Sequence, residues 1–187
     1  MARNRIIYQS EALFAGQLTG VTGDHNENQI KQMHRVQSAN YAFNISRTDV
    51  NQFGELAAID RVVLDTPTVS LDFSYYLANF ANEANLGLTV NGVSSSADDM
   101  TSALSGILNR TADERNFFIQ TSTEGEDAVG SSAAHSDTDS TISASTIGIG
   151  NAFMTSYSSE ASVGGFPTVS IAAEGMNMNF STGTTGI

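Results

Sequence analysis

The residues best suited to proton transfer or metal ligation are the histidines, and the chain has three, His25, His34 and His135. A protein zinc site brings three or four donors to one point, and its local mark is paired His or Cys at short fixed spacing. No two of these histidines stand at helical spacing, there is no H-E-x-x-H, and there is no cysteine. They read as loop and strand histidines. Asp137-Thr138-Asp139 opens like a calcium loop, but no Gly follows at the sixth position and no Glu at the twelfth. It reads as a solvated acidic segment.

The paired carboxylates fare no better. Asp98 and Asp99 are neighbours in sequence, so on a helix they face apart rather than converge. Glu124, Glu126 and Asp127 fall in a stretch rich in Ser and Gly, whereas a catalytic pair needs fixed spacing on a rigid frame. Gly148-Ile149-Gly150 lacks the third glycine of a dinucleotide fingerprint. There is no phosphate-binding G-x-x-x-x-G-K-[ST], the single lysine being Lys31, and no G-x-S-x-G nucleophile elbow. The expectation is a protein that is not an enzyme, with no catalytic residue, no metal ligand and no cofactor.

Charge says more. The formal net charge is -12, from 20 acidic and 8 basic side chains. The last Lys or Arg is Arg115, and the stretch from there to Ile187 has no Lys or Arg but seven acids: Glu124, Glu126, Asp127, Asp137, Asp139, Glu160 and Glu174. Nucleic-acid binders gain affinity by neutralising phosphates with Lys and Arg, so specific nucleic-acid binding is not expected. No apolar run approaches the roughly 20 residues that cross a bilayer as a helix, and the first residues lack the apolar core of a secretory signal. Membrane binding is not expected.

The elements that would position these residues are mostly strands. Val69, Leu71, Phe73 and Tyr75 alternate with Thr68, Ser70, Asp72 and Ser74. That period of two predicts a strand with one apolar and one polar face. Tyr41, Phe43 and Ile45 alternate likewise within a strand predicted over 33–47. Residues 49–55 read as a connection, 59–64 as a short strand, and 116–121 as another. Two strands over 146–157 and 168–178 flank a Gly164-Gly165 turn, a hairpin signal. Residues 96–110 switch period: Met100, Ala103, Leu104, Ile107 and Leu108 share one helical face. Ser96 suits the N-cap, and the acids of the first turn and Arg110 in the last complement the dipole.

The fold class expected is mainly β: a β-sandwich or barrel with one flanking α-helix and extended loops or a hairpin for contacts between subunits. The whole chain, 1–187, reads as one domain. Within it, 1–29 is an irregular arm, 96–110 the helix, 124–145 an acidic Ser/Gly-rich loop and 181–187 a flexible tail. Pro67-Thr68-Val69-Ser70-Leu71 recurs as Pro167-Thr168-Val169-Ser170-Ile171, each copy opening a strand.

Three stretches resemble the tail-tube (major tail) proteins of long-tailed bacteriophages. They are His34-Arg35-Val36-Gln37-Ser38-Ala39-Asn40-Tyr41-Ala42-Phe43-Asn44-Ile45-Ser46-Arg47; Ile59-Asp60-Arg61-Val62-Val63-Leu64-Asp65-Thr66-Pro67-Thr68-Val69-Ser70-Leu71-Asp72-Phe73; and Gly150-Asn151-Ala152-Phe153-Met154-Thr155-Ser156-Tyr157 leading to Gly165-Phe166-Pro167-Thr168-Val169-Ser170. The resemblance implies a structural virion protein that self-assembles into stacked, hexameric rings. Sheets of neighbouring subunits join to line a hollow acidic lumen, a conduit for DNA ejection through which DNA passes without specific binding. It implies tape-measure and terminator proteins as partners, with a sheath in addition if the tail is contractile. It also implies assembly in the host cytoplasm and a place in the virion tail. Another phage structural protein, such as a capsid decoration, baseplate or adhesin module, is the alternative.

Overall fold

The computed structural model describes residues 11–17, 30–50, 53, 60–63, 66–88, 90, 114–122, 128 and 144–183. In chain order the elements are β1 (Glu11–Gln17), β2 (Ile30–Gln32), β3 (Val36–Asn44), β4 (Arg47–Val50), β5 (Asp60–Val63), β6 (Thr68–Tyr76), α1 (Ala81–Asn85), β7 (Glu114–Thr121), β8 (Ala144–Glu160), β9 (Thr168–Gly175) and β10 (Asn177–Gly183). The main sheet runs β2-β1-β7-β8-β9-β6-β3, with β10 also on β8; β4 and β5 form a separate hairpin. Every pairing is antiparallel.

β8 belongs to two lobes. Its first part pairs with β7 on one edge and β10 on the other, and its second part pairs with β9. The change of lobe occurs at Asn151, a non-glycine residue at φ 52. Asn tolerates that left-handed region better than most residues because its short polar side chain bonds locally. Here the Asn151 N–H donates to Asn116 Oδ1 at 2.9 Å, its side-chain amide donates to Glu114, and Asn177 donates to its Oδ1 at 3.2 Å. The register of β7 on β8 breaks at the same point, between Arg115 and Phe117. A bulge of this kind bends a strand and lets a sheet turn a corner. A side chain at Gly150 would collide with Asn177. Gly148-Ile149-Gly150 thus sits at a sheet corner.

The two lobes face each other across one core. Leu13 and Ala15 of β1, Phe117 and Ile119 of β7 and Ile149 of β8 meet Val69, Leu71, Phe73 and Tyr75 of β6 and Val169, Ile171 and Ala173 of β9. The Phe73 and Phe117 rings lie 5.7 Å apart across the gap. Each fully buried large side chain contributes about 1.5–3 kcal/mol, so this interior is what folds the sheet onto itself. The arrangement is the mainly β, sandwich-like fold expected. The outer side of the first lobe carries a second cluster of Ala12, Phe14, Ile30 and Ala128 with Phe118 against it.

Several elements differ from expectation. The arm read as irregular, 1–29, contains β1. That strand is buried on both faces from Ala12 to Gly16, so it shows no alternation by which to recognise it. Of the connection read over 49–55, Asp49 and Val50 are strand, paired with Arg61 and Asp60. Of the tail read over 181–187, Ser181, Thr182 and Gly183 extend β10 along β8. Gly, Thr and polar content point to loop in both places, and strand pairing overrides it. No sequence signal marks α1, which is too short to display a periodicity. The helix expected over 96–110 and all but Ala128, Ala144 and Ser145 of the loop expected over 124–145 lie outside the described residues.

Candidate functional site: a polar four-stranded face with two open edges

The second lobe, β3-β6-β9 and the end of β8, has a core side and an outer side. Strand register places the outer side chains in rows. Asn40, Asp72, Ala172 and Ser156 form one row; Ser38, Ser74, Ser170 and Ser158 form the next. Ala42, Ser70 and Glu174 lie to one side of them, and Tyr76, Thr168 and Glu160 to the other. The burial pattern of β6 alternates along its whole length, buried on the core side and exposed on this face except for the half-buried Ser74. Short Ser, Asn and Ala side chains give a smooth surface. A shallow depression of about 310 Å³ crosses its middle, between Ser38, Asp72, Ser156 and Ser170.

These outer positions hold three carboxylates, Asp72, Glu174 and Glu160, and no Lys or Arg. The serine row is tied internally. Ser38 and Ser74 share a hydrogen bond at 2.7 Å, and the Ser158 hydroxyl donates to the Ser170 carbonyl at 3.4 Å. The face is therefore polar and anionic, with the hydroxyls of Ser38, Ser74 and Ser158 engaged in hydrogen bonds.

Both edges of this four-stranded unit are open among the described residues. β3 pairs only with β6, and β8 beyond Phe153 pairs only with β9. Open edges present unpaired N–H and C=O groups, which proteins normally blunt or pair. Behind the two edges, on the core side, stand aromatic residues left part-exposed: Tyr41 (41%) and Phe43 (51%) on β3, and Tyr157 (38%) on β8.

No protein-family model matches this chain, and no curated protein matches it. Solved structures do. A chain of the sheath/tube terminator of the PVC extracellular contractile injection system superimposes with TM-score 0.54 at 10% identity, covering 97% of this chain and 99% of that one. A chain of the PVC sheath-tube complex gives 0.53 at 9% identity, covering 96% and 93%. A chain of the anti-feeding prophage tube-terminating cap gives 0.52 at 12% identity, covering 97% and 94%. The chain has the tail-tube fold.

Within this tail-tube fold a buried polar cluster ties the helix to the sheet. Tyr75 O–H donates to Glu83 Oε1 at 2.7 Å, and Tyr157 O–H donates to the same oxygen at 3.2 Å. Glu83 is 3% exposed. Burial, and then the neighbouring carboxylate, push the Tyr75 hydroxyl well above the ordinary tyrosine range. The same causes raise Tyr157. Asn82 clamps the turn before β3, accepting from the His34 N–H at 2.9 Å and donating to its carbonyl at 2.8 Å. Arg115 is buried and donates to the Asn85 and Glu114 carbonyls.

Of the residues weighed for chemistry, His34 is exposed and contributes its backbone to that clamp. His25, His135, Asp98, Asp99, Glu124, Glu126, Asp127, Asp137 and Asp139 lie outside the described residues. Among the described residues no three His, Asp or Glu converge on a metal position. Sequence reading missed Glu83 altogether, since a lone Glu between alanines and asparagines carries no signal. It also missed the serine row, which exists only through register. The recurring Pro-Thr-Val-Ser motif opens β6 and β9, which are adjacent. A local two-fold between the facing residues Asp72 and Ala172 exchanges the copies.

Proposed function

We propose that the protein is a non-enzymatic tube subunit whose copies join edge to edge through β3 and β8 into closed rings, and whose rings stack into a hollow tail tube. The observation that carries this reading is the four-stranded unit with a polar, cation-free face and two open edges. Strand parity supports it. The unit has an even number of antiparallel strands, so β3 and β8 run in opposite directions. A neighbour generated by simple rotation brings its β8 antiparallel to β3, and every edge is satisfied when the ring closes. Pairing would also cover Tyr41, Phe43 and Tyr157.

The ring lines its bore with the outer face. Asp72, Glu174 and Glu160 then repel phosphate, and the short hydroxyl side chains offer DNA no cationic foothold. DNA passes through during ejection without specific binding. The resemblance to tail-tube proteins supports six as the ring number. It supports terminator and tape-measure proteins as the partners in a virion tail, joined by a sheath if that tail contracts.

Electron microscopy of purified protein tests assembly. Cysteine pairs test the edges, and the natural chain has no cysteine to interfere. Asn40 and Ser156 are in one row at opposite edges, three strand spacings of about 4.8 Å apart. That distance is too long for a disulfide within one copy. A panel pairing Ser38→Cys or Asn40→Cys with Ser156→Cys or Ser158→Cys should give a ladder of covalent oligomers ending at the ring number. Cross-links absent from the whole panel, with a monomer at every concentration, would return the protein to a decoration or adhesin role.

A further inference from the structure

Glu83 is the one acid buried among the described residues, and only half of its carboxylate is satisfied. Both tyrosines donate to Oε1, while Oε2 is buried without a partner. An orphaned buried acceptor is costly, more so when charged, and its position points to the missing donor. Tyr157 lies on the open edge of β8, so Glu83 sits one side chain behind that edge.

Toward one end of the opposite open edge stands Arg35, at the level of Tyr75 and Tyr76, while Tyr157 shares its row with Phe73 and Ala39. Arg35 immediately precedes β3, its carbonyl accepts from the Tyr76 N–H at 3.2 Å, and its neighbour Val36 registers with Tyr75, the other Glu83 donor. Arg35 is exposed, with φ at 61, a conformation that favours glycine over arginine. Its guanidinium makes no ion pair or hydrogen bond among the described residues. Beside it a cleft of about 400 Å³ opens between β1 and β3, walled by Leu13, Met33, Val36 and Ile119. That cleft has room for a neighbour's side chain.

We propose that in the ring Arg35 of each copy crosses the β3–β8 junction and donates to the free Glu83 oxygen of the adjacent copy. This rests on the edge-to-edge reading above and supplies its specificity. Antiparallel pairing lays the Arg35 end of β3 alongside the last residues of β8, and the long arginine side chain reaches back along that edge toward the neighbour's Glu83. Arginine suits such a contact, because its apolar stem can lie against the Tyr157 ring while its planar fork engages a carboxylate. Donor and acceptor sit on different edges. The contact is therefore head-to-tail and cannot be made by two copies related by a dyad.

The test uses the full chain, with ring formation followed by sedimentation velocity and microscopy, and the monomer fold by circular dichroism and melting. Arg35→Ala should raise the concentration needed for half-assembly by at least about tenfold, as expected when a buried charge loses its partner. Arg35→Glu should abolish rings. Lys31→Glu, an equal charge change at an exposed site, should leave them intact, and all three monomers should melt with the wild type. In a Glu83→Gln background, Arg35→Ala should add little, the sign of a direct coupling. Rings formed by Arg35→Glu at wild-type concentration overturn this proposal and leave the edge-to-edge reading standing. A wild type that forms no ring, and no cysteine cross-link, removes both.

Discussion

Tyr75 and Glu83 are joined by a 2.7 Å hydrogen bond inside the core, although one belongs to a strand and the other to a helix. The bond seats α1 against the second lobe. Tyr157 shares the acceptor from β8, so a single carboxylate pins three elements: β6, α1 and the open edge of β8.

Removing the Tyr75 hydroxyl tests that pin. Tyr75→Phe leaves a buried carboxylate with one donor, and should cost about 1–3 kcal/mol of unfolding free energy. Tyr157→Phe removes the longer bond from a part-exposed ring and should cost less than about 1 kcal/mol. Urea titration of both variants orders the two bonds. Equal losses would contradict this ranking.

Alkaline pH should act through the same group. Tyr75 has its hydroxyl pKa raised in the folded protein from the ordinary value of 10.0. A raised pKa means that folding favours the protonated form. The stabilisation is complete below about pH 10 and is lost as pH climbs above it, because the unfolded chain ionises and the folded one resists. Stability measured from pH 8 to 11 should fall at the alkaline end. Tyr75→Phe should flatten part of that fall.

Gly175 is a position where space alone forbids a side chain. A Cβ there would lie 2.7 Å from Ile149 Cγ2 and 3.2 Å from the Gly150 carbonyl. Gly175→Ala should destabilise by about 1–3 kcal/mol through overpacking. Thermal melting of this variant gives the value. A neutral result would mean that the β8 corner yields readily.

The Arg61–Asp49 pair on the β4–β5 hairpin is the opposite case. Its 2.5 Å contact looks strong, but the side chains are 63% and 44% exposed. Asp49→Asn should cost less than about 1 kcal/mol, and added salt should erase the difference.

The proposal that this face lines a bore can be challenged with charge. Ser74→Lys with Ser170→Lys adds two cations to the middle of the serine row without touching an edge strand. Rings should still form. Tubes of this variant should retain DNA in low salt and release it as salt rises, whereas wild-type tubes retain none. Equal DNA retention by both would show that this face does not line the channel.

The strands legible in sequence are those with one wet face. β6 is readable because Val69, Leu71, Phe73 and Tyr75 alternate with polar residues, and its burial follows that alternation. β1 is not, because both its faces are covered and its composition holds no period. The lack of a catalytic motif and the one-signed charge after Arg115 are also plain from residue types.

What only the tertiary structure decided is adjacency. Ser38, Ser74, Ser158 and Ser170 become one row through register, and register depends on how strands far apart in sequence pair. Asn151 becomes a corner because two lobes must share β8. Glu83 acquires meaning only when β6 and β8 deliver tyrosines to it. The sequence by itself determined a mainly β chain, acidic and without a recognisable site. The third dimension gathered its small polar residues onto one face and left two strand edges open among the described residues, because side-chain period is local information and strand pairing is not.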